Sequence, residues 1–87
     1  MIVRLRLFAA ARQAAGLGSD SFELAKNATL RDLVARARER YGEGFSDVLS
    51  TARVWVNGDE PAAGAATVLA AGDEVAVLPP VSGGGLP

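Results

Sequence analysis

The chain contains neither cysteine nor histidine. Their absence removes thiol nucleophiles, disulfides, thiolate or imidazole metal sites and the Ser/His/Asp relay, each of which needs one or the other. Carboxylates, hydroxyls, a single lysine and the chain ends are left to carry any chemistry. Neither sign of charge dominates, since nine Lys and Arg stand against ten Asp and Glu for a net charge of -1. No basic stripe or acidic tail therefore points to a nucleic-acid partner or a charged scaffold. No apolar run approaches the ~18 residues of a membrane span, and the opening Met1-Ile2-Val3-Arg4-Leu5-Arg6 does not read as a signal peptide. The expectation is a cytoplasmic protein without membrane or nucleic-acid partners.

What is present suits one small module. Eighty-seven residues make one domain with one core, too small for a deep substrate cavity as well. The apolar fraction of 49% includes seventeen alanines, which favour helix but bury little area. The larger apolar residues still support a packed fold, because the charge is low and mixed in sign.

The hydrophobic periods give an order of elements. Residues 2–8 alternate, with Val3, Leu5 and Leu7 on one face and Arg4 and Arg6 on the other, which predicts a half-buried strand. Residues 9–15 are alanine-rich and predict a short helical turn or loop tip closed by Gly16 and Gly18. A second strand is expected over residues 21–25, with Phe22 and Leu24 inward. Thr29 followed by Asp32 reads as a helix N-cap, and Leu30, Leu33, Val34, Ala37 and Tyr41 form one face of the helix it opens. Gly42 is its natural stop, and Phe45, Val48 and Leu49 suggest one further turn over the sheet edge. Residues 53–56 alternate as a third strand into the hairpin signal Asn57-Gly58, and a brief fourth strand is expected over residues 59–62, limited by Pro61. Residues 74–78 form the last strand, ended by Pro79-Pro80. This order predicts an α+β fold of the β-grasp (ubiquitin-like) plan. It would be a mixed four- to five-stranded sheet, first and last strands side by side in parallel, with one long helix across it. The domain would span residues 1–80, and residues 81–87 would form a flexible glycine-rich tail.

The chemistry is expected in that tail. Pro79-Pro80 stiffens its exit, and Gly83-Gly84-Gly85 offers no side chain to keep a partner's walls from closing on the backbone. Read as composition alone, Ser82 to Gly85 would be a frayed end or linker. The ending Pro79-Pro80-Val81-Ser82-Gly83-Gly84, however, resembles the MoaD family, the small sulfur-carrier subunit of molybdopterin synthase, within the MoaD/ThiS ubiquitin-like superfamily. Leu7-Phe8-Ala9 with Arg12, and Val54-Trp55-Val56-Asn57-Gly58, resemble that family's first strand and hairpin.

The resemblance implies a carrier and not an enzyme. A partner adenylating enzyme of the E1-like kind would use ATP to activate the C-terminal glycine, so the chain itself would need no cofactor. The adenylate would become a thiocarboxylate, and the large catalytic subunit of molybdopterin synthase would accept the tail. Carried over by residue, Gly84 would be the activated residue and Gly83 its neighbour, with Pro79, Pro80, Val81 and Ser82 lining the partner's groove. Phe8 and Leu78 lie at apolar positions beside the tail and suit either a docking surface or ordinary core. Trp55, opposite in parity to Val54 and Val56, either packs under the tail or stands as an anchor.

Gly85-Leu86-Pro87 departs from the family's ending, and the expectation is removal of these residues by a peptidase, exposing the Gly84 carboxylate. Similar tails serve thiamin, cysteine and tRNA thiolation, and a β-grasp interaction module with a tether for a tail remains a different class of reading. The pairs Asp59-Glu60 and Asp73-Glu74 read as solvated turn charges, and Arg31, Arg36, Arg38 and Arg40 as a wet helix face. Gly42-Glu43-Gly44 lacks the third glycine and context of a nucleotide loop. Lys26 is the only lysine.

Overall fold

The computed structural model describes residues 1–80. The elements run β1 (Ile2–Leu7), α1 (Ala9–Ala15), β2 (Ser19–Glu23), α2 (Leu30–Tyr41), α3 (Glu43–Leu49), β3 (Arg53–Val56), a single 3-10 turn over Gly64–Ala66, and β4 (Glu74–Leu78). The sheet order is β2-β1-β4-β3, with β1 parallel to β4 and the outer pairs antiparallel. This is the β-grasp arrangement, with first and last strands adjacent in mid-sheet as the order of elements predicts.

One face of the sheet carries the core. Leu5 lies beside Val75 and Leu7 beside Val77, and Val3 pairs with Phe22. All six are at most 2% exposed. Onto them pack Leu30, Leu33 and Ala37 of α2, Ala11 of α1 and Phe45 of α3. No polar or charged residue is buried among the described residues, so the core needs no internal hydrogen bonding beyond its backbone ladders. The helix begins where its cap predicts: Asp32 N–H donates to Thr29 Oγ1 at 3.3 Å, and Thr29 N–H donates to Asp32 Oδ2 at 2.8 Å. Gly42 ends it with φ 93°, a conformation in which a side chain would be strained, its N–H donating to the Arg38 carbonyl at 2.9 Å.

Three expectations need correction. The strand expected over residues 59–62 does not form, and the sheet has four strands. Val56 and Asp59 exchange one pair of bonds at 2.9 and 3.1 Å. Pro61 then lacks the N–H to continue a ladder, and the chain turns into the 3-10 segment. Residues 43–49 make a two-turn helix rather than one turn, anchored by the fully buried Phe45, which meets the Tyr41 ring edge-on at 5.0 Å. With α1, three α-helices accompany the sheet among the described residues, α2 being the longest at 12 residues. β2 begins at Ser19, two residues early, because the Gly18 carbonyl already accepts from Leu7 N–H at 2.9 Å.

A polar clasp joins β2 to α2. The Tyr41 hydroxyl donates to Asp20 Oδ2 at 2.7 Å, and Arg40 Nη1 donates to the same oxygen at 3.0 Å while its guanidinium lies 3.8 Å from the Phe22 ring centroid. The Tyr41 hydroxyl, aided by Arg40 and against the cost of burial, holds the Asp20 carboxyl below its ordinary value of 3.8. Burial, then the Asp20 carboxylate, raises the Tyr41 phenol above its ordinary 10.0.

Two pH limits follow. A lowered carboxyl stabilises the fold above its unfolded value, so the Asp20 contribution is lost as pH falls below about 4. A raised phenol stabilises it below its unfolded value, so the Tyr41 contribution is lost as pH climbs above about 10. Tyr41→Phe is expected to cost about 1 kcal/mol near neutral pH and to flatten the alkaline decline in melting temperature. Asp20→Asn should flatten the acid decline. Thermal melts across pH that leave both limbs unchanged would refute the clasp's role.

Candidate functional site

The tail is rooted in the middle of the sheet. β4 is flanked on both sides, and its last residues carry straight into Pro79 and Pro80. Phe8 N–H donates to the Val77 carbonyl at 3.2 Å, so the parallel ladder holds Phe8 beside the exit. There the chain must turn from β1 into α1. Phe8 takes extended backbone angles as the residue before the helix, and its side chain is 37% exposed.

The face opposite the core is built by strand parity. Arg6, Ala76 and Trp55 lie side by side across β1, β4 and β3, and the next row brings Leu78 beside Arg53. Arg6 and Arg53 are exposed, and Ala76, Trp55 and Leu78 are half-buried. The Arg6 guanidinium carbon stands 5.4 Å from the Phe8 ring centroid, and Arg6 Nη1 lies 3.8 Å from Glu74 Oε2. Glu74 and Phe8 thus hold the cation over the ring at modest energetic cost, as an exposed pair does. Trp55 and Pro80 line one groove of about 370 Å³ on this side, so the indole sits next to the start of the tail.

The predicted site residues divide accordingly. Phe8, Leu78, Pro79 and Pro80 converge at the end of the β1–β4 ladder, and Phe8 and Leu78 are surface rather than core. Val81, Ser82, Gly83 and Gly84 lie outside the described residues. Arg6, Ala76 and Arg53 are neighbours that reading the sequence did not single out. Their parity with Phe8, Leu78 and Trp55 was visible, but the register that sets them side by side is tertiary.

The side chains here offer hydrophobic surface and cations, with no arrangement of nucleophile and base. Among the described residues no group of three or more acidic side chains could hold a metal ion. Of the turn acids, Asp73 is engaged structurally, accepting from Asn57 Nδ2 at 3.0 Å and from Ala70 N–H at 2.8 Å. No helix among the described residues is long and apolar enough to cross a membrane.

Known proteins agree with this geometry. The ThiS family matches residues 5–84. A molybdopterin synthase sulfur carrier subunit from Chlamydomonas reinhardtii is 32% identical over 84 residues, covering 97% of this chain and 100% of that protein. A structure described as molybdopterin converting factor subunit 1 from Pyrococcus furiosus superposes with TM-score 0.83 at 30% identity, covering 93% of this chain and 99% of that one. SAMP1 from Haloferax volcanii superposes with TM-score 0.81 at 28% identity, over 97% of this chain and 100% of that one. The complex of subunits 1 and 2 of the molybdopterin-converting factor from Helicobacter pylori gives TM-score 0.71 at 26% identity, over 97% of this chain and 100% of its match. A sheet that offers hydrophobic surface and cations at the root of its last strand, and a family match running from the first strand to Gly84, lead to one conclusion: the chain belongs to the ThiS family and is a small sulfur carrier of the MoaD/ThiS type.

Proposed function

We propose that the chain carries sulfur as a thiocarboxylate on Gly84, for the large subunit of a molybdopterin synthase. The observation that carries this reading is the exit of the central strand β4 through Pro79-Pro80 toward Gly83-Gly84, where the family match ends. A carboxylate is a poor electrophile. Attack of its oxygen on the α-phosphorus of ATP, bound by an adenylating partner, expels pyrophosphate and leaves a good leaving group on the acyl carbon. A sulfur nucleophile then displaces AMP. Gly84 must first have a free carboxylate, so its peptide bond to Gly85 is hydrolysed by a peptidase before loading. Gly83 allows the backbone through a narrow channel, and Pro79, Pro80, Val81 and Ser82 line the partner's groove. ATP belongs to the activating enzyme, and the chain holds no cofactor of its own.

The Helicobacter pylori complex of subunits 1 and 2 supports a large-subunit partner. Phe8, Leu78 and the Arg6–Ala76–Trp55 row would form the docking face, since exposed aromatic and aliphatic residues beside a tail entrance give a desolvated anchor. The likeness to SAMP1 favours a second reading in which the same loaded tail serves a different acceptor. Thiamin, cysteine and tRNA thiolation are such alternatives. A tail acting only as a tether would tolerate deletion of residues 83–87, whereas a carrier would lose all activity.

Two measurements test the proposal. A chain ending at Gly84, mixed with its cognate adenylating enzyme, ATP and a sulfur donor, should show by mass spectrometry an acyl-adenylate and then a product with one oxygen replaced by sulfur. Gly84→Ala should slow loading at least ~100-fold, as a misplaced reacting group does. Absence of both species with every candidate activating enzyme refutes the carrier chemistry. Separately, Phe8→Ala should cost under ~1 kcal/mol in denaturant unfolding, against ~3–5 kcal/mol for the fully buried Phe22→Ala, yet weaken large-subunit binding at least ~10-fold. A Phe8→Ala chain that binds normally would remove Phe8 from the docking face.

A further inference from the structure

The two outer strands of the sheet end their hydrogen bonding in opposite ways. In β2 the even-numbered residues face β1, so Ser21 and Glu23 turn their backbone groups outward. Three of those four groups are covered. Ser21 N–H donates to Asp20 Oδ1 at 2.8 Å, Arg40 Nη1 donates to the Ser21 carbonyl at 3.0 Å, and Arg36 Nη1 donates to the Glu23 carbonyl at 3.4 Å. Side chains thus blunt this edge against strand addition.

β3 is different. The bond from Asn57 N–H to the Glu74 carbonyl at 2.7 Å sets the phase of its ladder: Arg53 and Trp55 face β4, while Val54 and Val56 face outward. Val56 is satisfied by Asp59. The Val54 N–H and C=O have no partner among the described residues. On the core side of this gap a groove of about 460 Å³ separates α2 from the segment around Pro61, with Leu30, Val34 and Val54 in its lining and Arg31 and Arg38 among its polar groups. On the other side lies the groove of about 370 Å³ that holds Arg53. Glu60 lines both. None of the three arginines makes an ion pair among the described residues. Three cations and one carboxylate therefore surround an unpaired strand edge.

We infer that the β3 edge receives an acidic, extended peptide segment of a partner protein. Its backbone pairs with Val54, one apolar side chain enters the groove beside Val34, and its carboxylates meet Arg31 and Arg38. The charge decides the occupant. A second copy paired edge to edge would bring two sets of the same three arginines together, a like-charge juxtaposition that opposes association. An acidic strand reverses that sign. The surface adjoins the docking face along the groove that Trp55 and Pro80 line, whereas the groove beneath Arg31 and Arg38 shares no residue with that face.

Selection of random displayed peptides against the intact chain, followed by synthesis and titration of the best binder, tests the inference. The selected peptides should alternate apolar with acidic residues. The binder should shift the Val54 amide resonance and slow its hydrogen exchange at least ~10-fold. Val54→Pro removes the outward N–H without breaking a β3–β4 ladder bond, though it also trims a half-buried side chain, at an edge position where proline is tolerated, and should weaken binding at least ~10-fold. The double variant Arg31→Glu/Arg38→Glu alters two exposed positions, which keeps the test valid if the proline variant misfolds, and should weaken binding at least ~10-fold. Unchanged resonances of the fully buried Val3 and Phe22, which lie away from Val54, confirm that each variant is folded. The inference is overturned if no acidic binder emerges, or if binders ignore the charge reversal. It is equally overturned if Val54 is already protected without peptide, whether in a concentration-dependent dimer or by a contact that disappears when the chain is shortened to Pro80.

Discussion

Leu5 and Leu7 of β1 lie against Val75 and Val77 of β4 in a parallel ladder, and the rest of the molecule is arranged around that pairing. Parallel neighbours cannot be joined by a tight turn, so everything between them must cross from one end of the sheet to the other. That crossing contains the three helices and both outer strands, and its apolar residues bury the core face that the ladder creates. The same pairing puts both β1 and β4 at their ends on one side of the molecule. Phe8 turns away into α1 there, while the chain after Leu78 leaves through two prolines. The point at which the chain leaves the sheet is thus a consequence of a fully buried contact.

This placement suits a sulfur carrier. In the proposed carrier chemistry the acyl group to be activated belongs to the backbone, and its reactivity would come from a leaving group supplied by another protein. What this chain would supply is presentation: a root held within the sheet and a surface that fixes how a partner approaches. Residues of low chemical reactivity, such as Phe8, Ala76, Leu78 and Trp55, suit that task better than titratable ones. The clearest pKa shifts lie elsewhere, at Asp20 and Tyr41, and there they tie β2 to α2.

Much of this fold was legible because its local signals agree with its tertiary contacts. Alternation placed Val3, Leu5, Leu7, Val75 and Val77 inward, Thr29 with Asp32 marked a helix start, and Asn57-Gly58 marked a turn whose two residues take φ 52° and 85°. The failures lie where short segments take their conformation from neighbours. Residues 59–62 looked like a returning strand because a hairpin turn precedes them, yet Pro61 leaves only the Val56–Asp59 bridge. Residues 43–49 contain Gly44 and Ser46, weak helix formers, and the burial of Phe45 against Tyr41 holds the helix that propensity alone would not. At the candidate site, parity was legible and register was not. The root was therefore recognised through Phe8 and Leu78, while the row from Arg6 to Trp55 emerged only from strand pairing.

The arginines of α2 illustrate how a pattern that reads as a uniformly wet face can have two roles. At about 100° per residue, Arg36 and Arg40 fall on one flank of the buried Leu30–Leu33–Ala37 stripe, and Arg31 and Arg38 fall on the other. The helix lies across a sheet with two free edges, so each flank overlooks a different one. On the β2 side, Arg36 and Arg40 donate to outward carbonyls and close the edge. On the β3 side, Arg31 and Arg38 stand over a groove where Val54 has no partner, and their charge remains uncommitted among the described residues. Closing an edge requires the guanidinium to reach a carbonyl, which fixes the side chain and neutralises the edge as a template. Leaving it unclosed keeps both a hydrogen-bonding template and a positive field at the same place. One helix therefore blocks association on one side of the sheet and selects the charge of what can associate on the other.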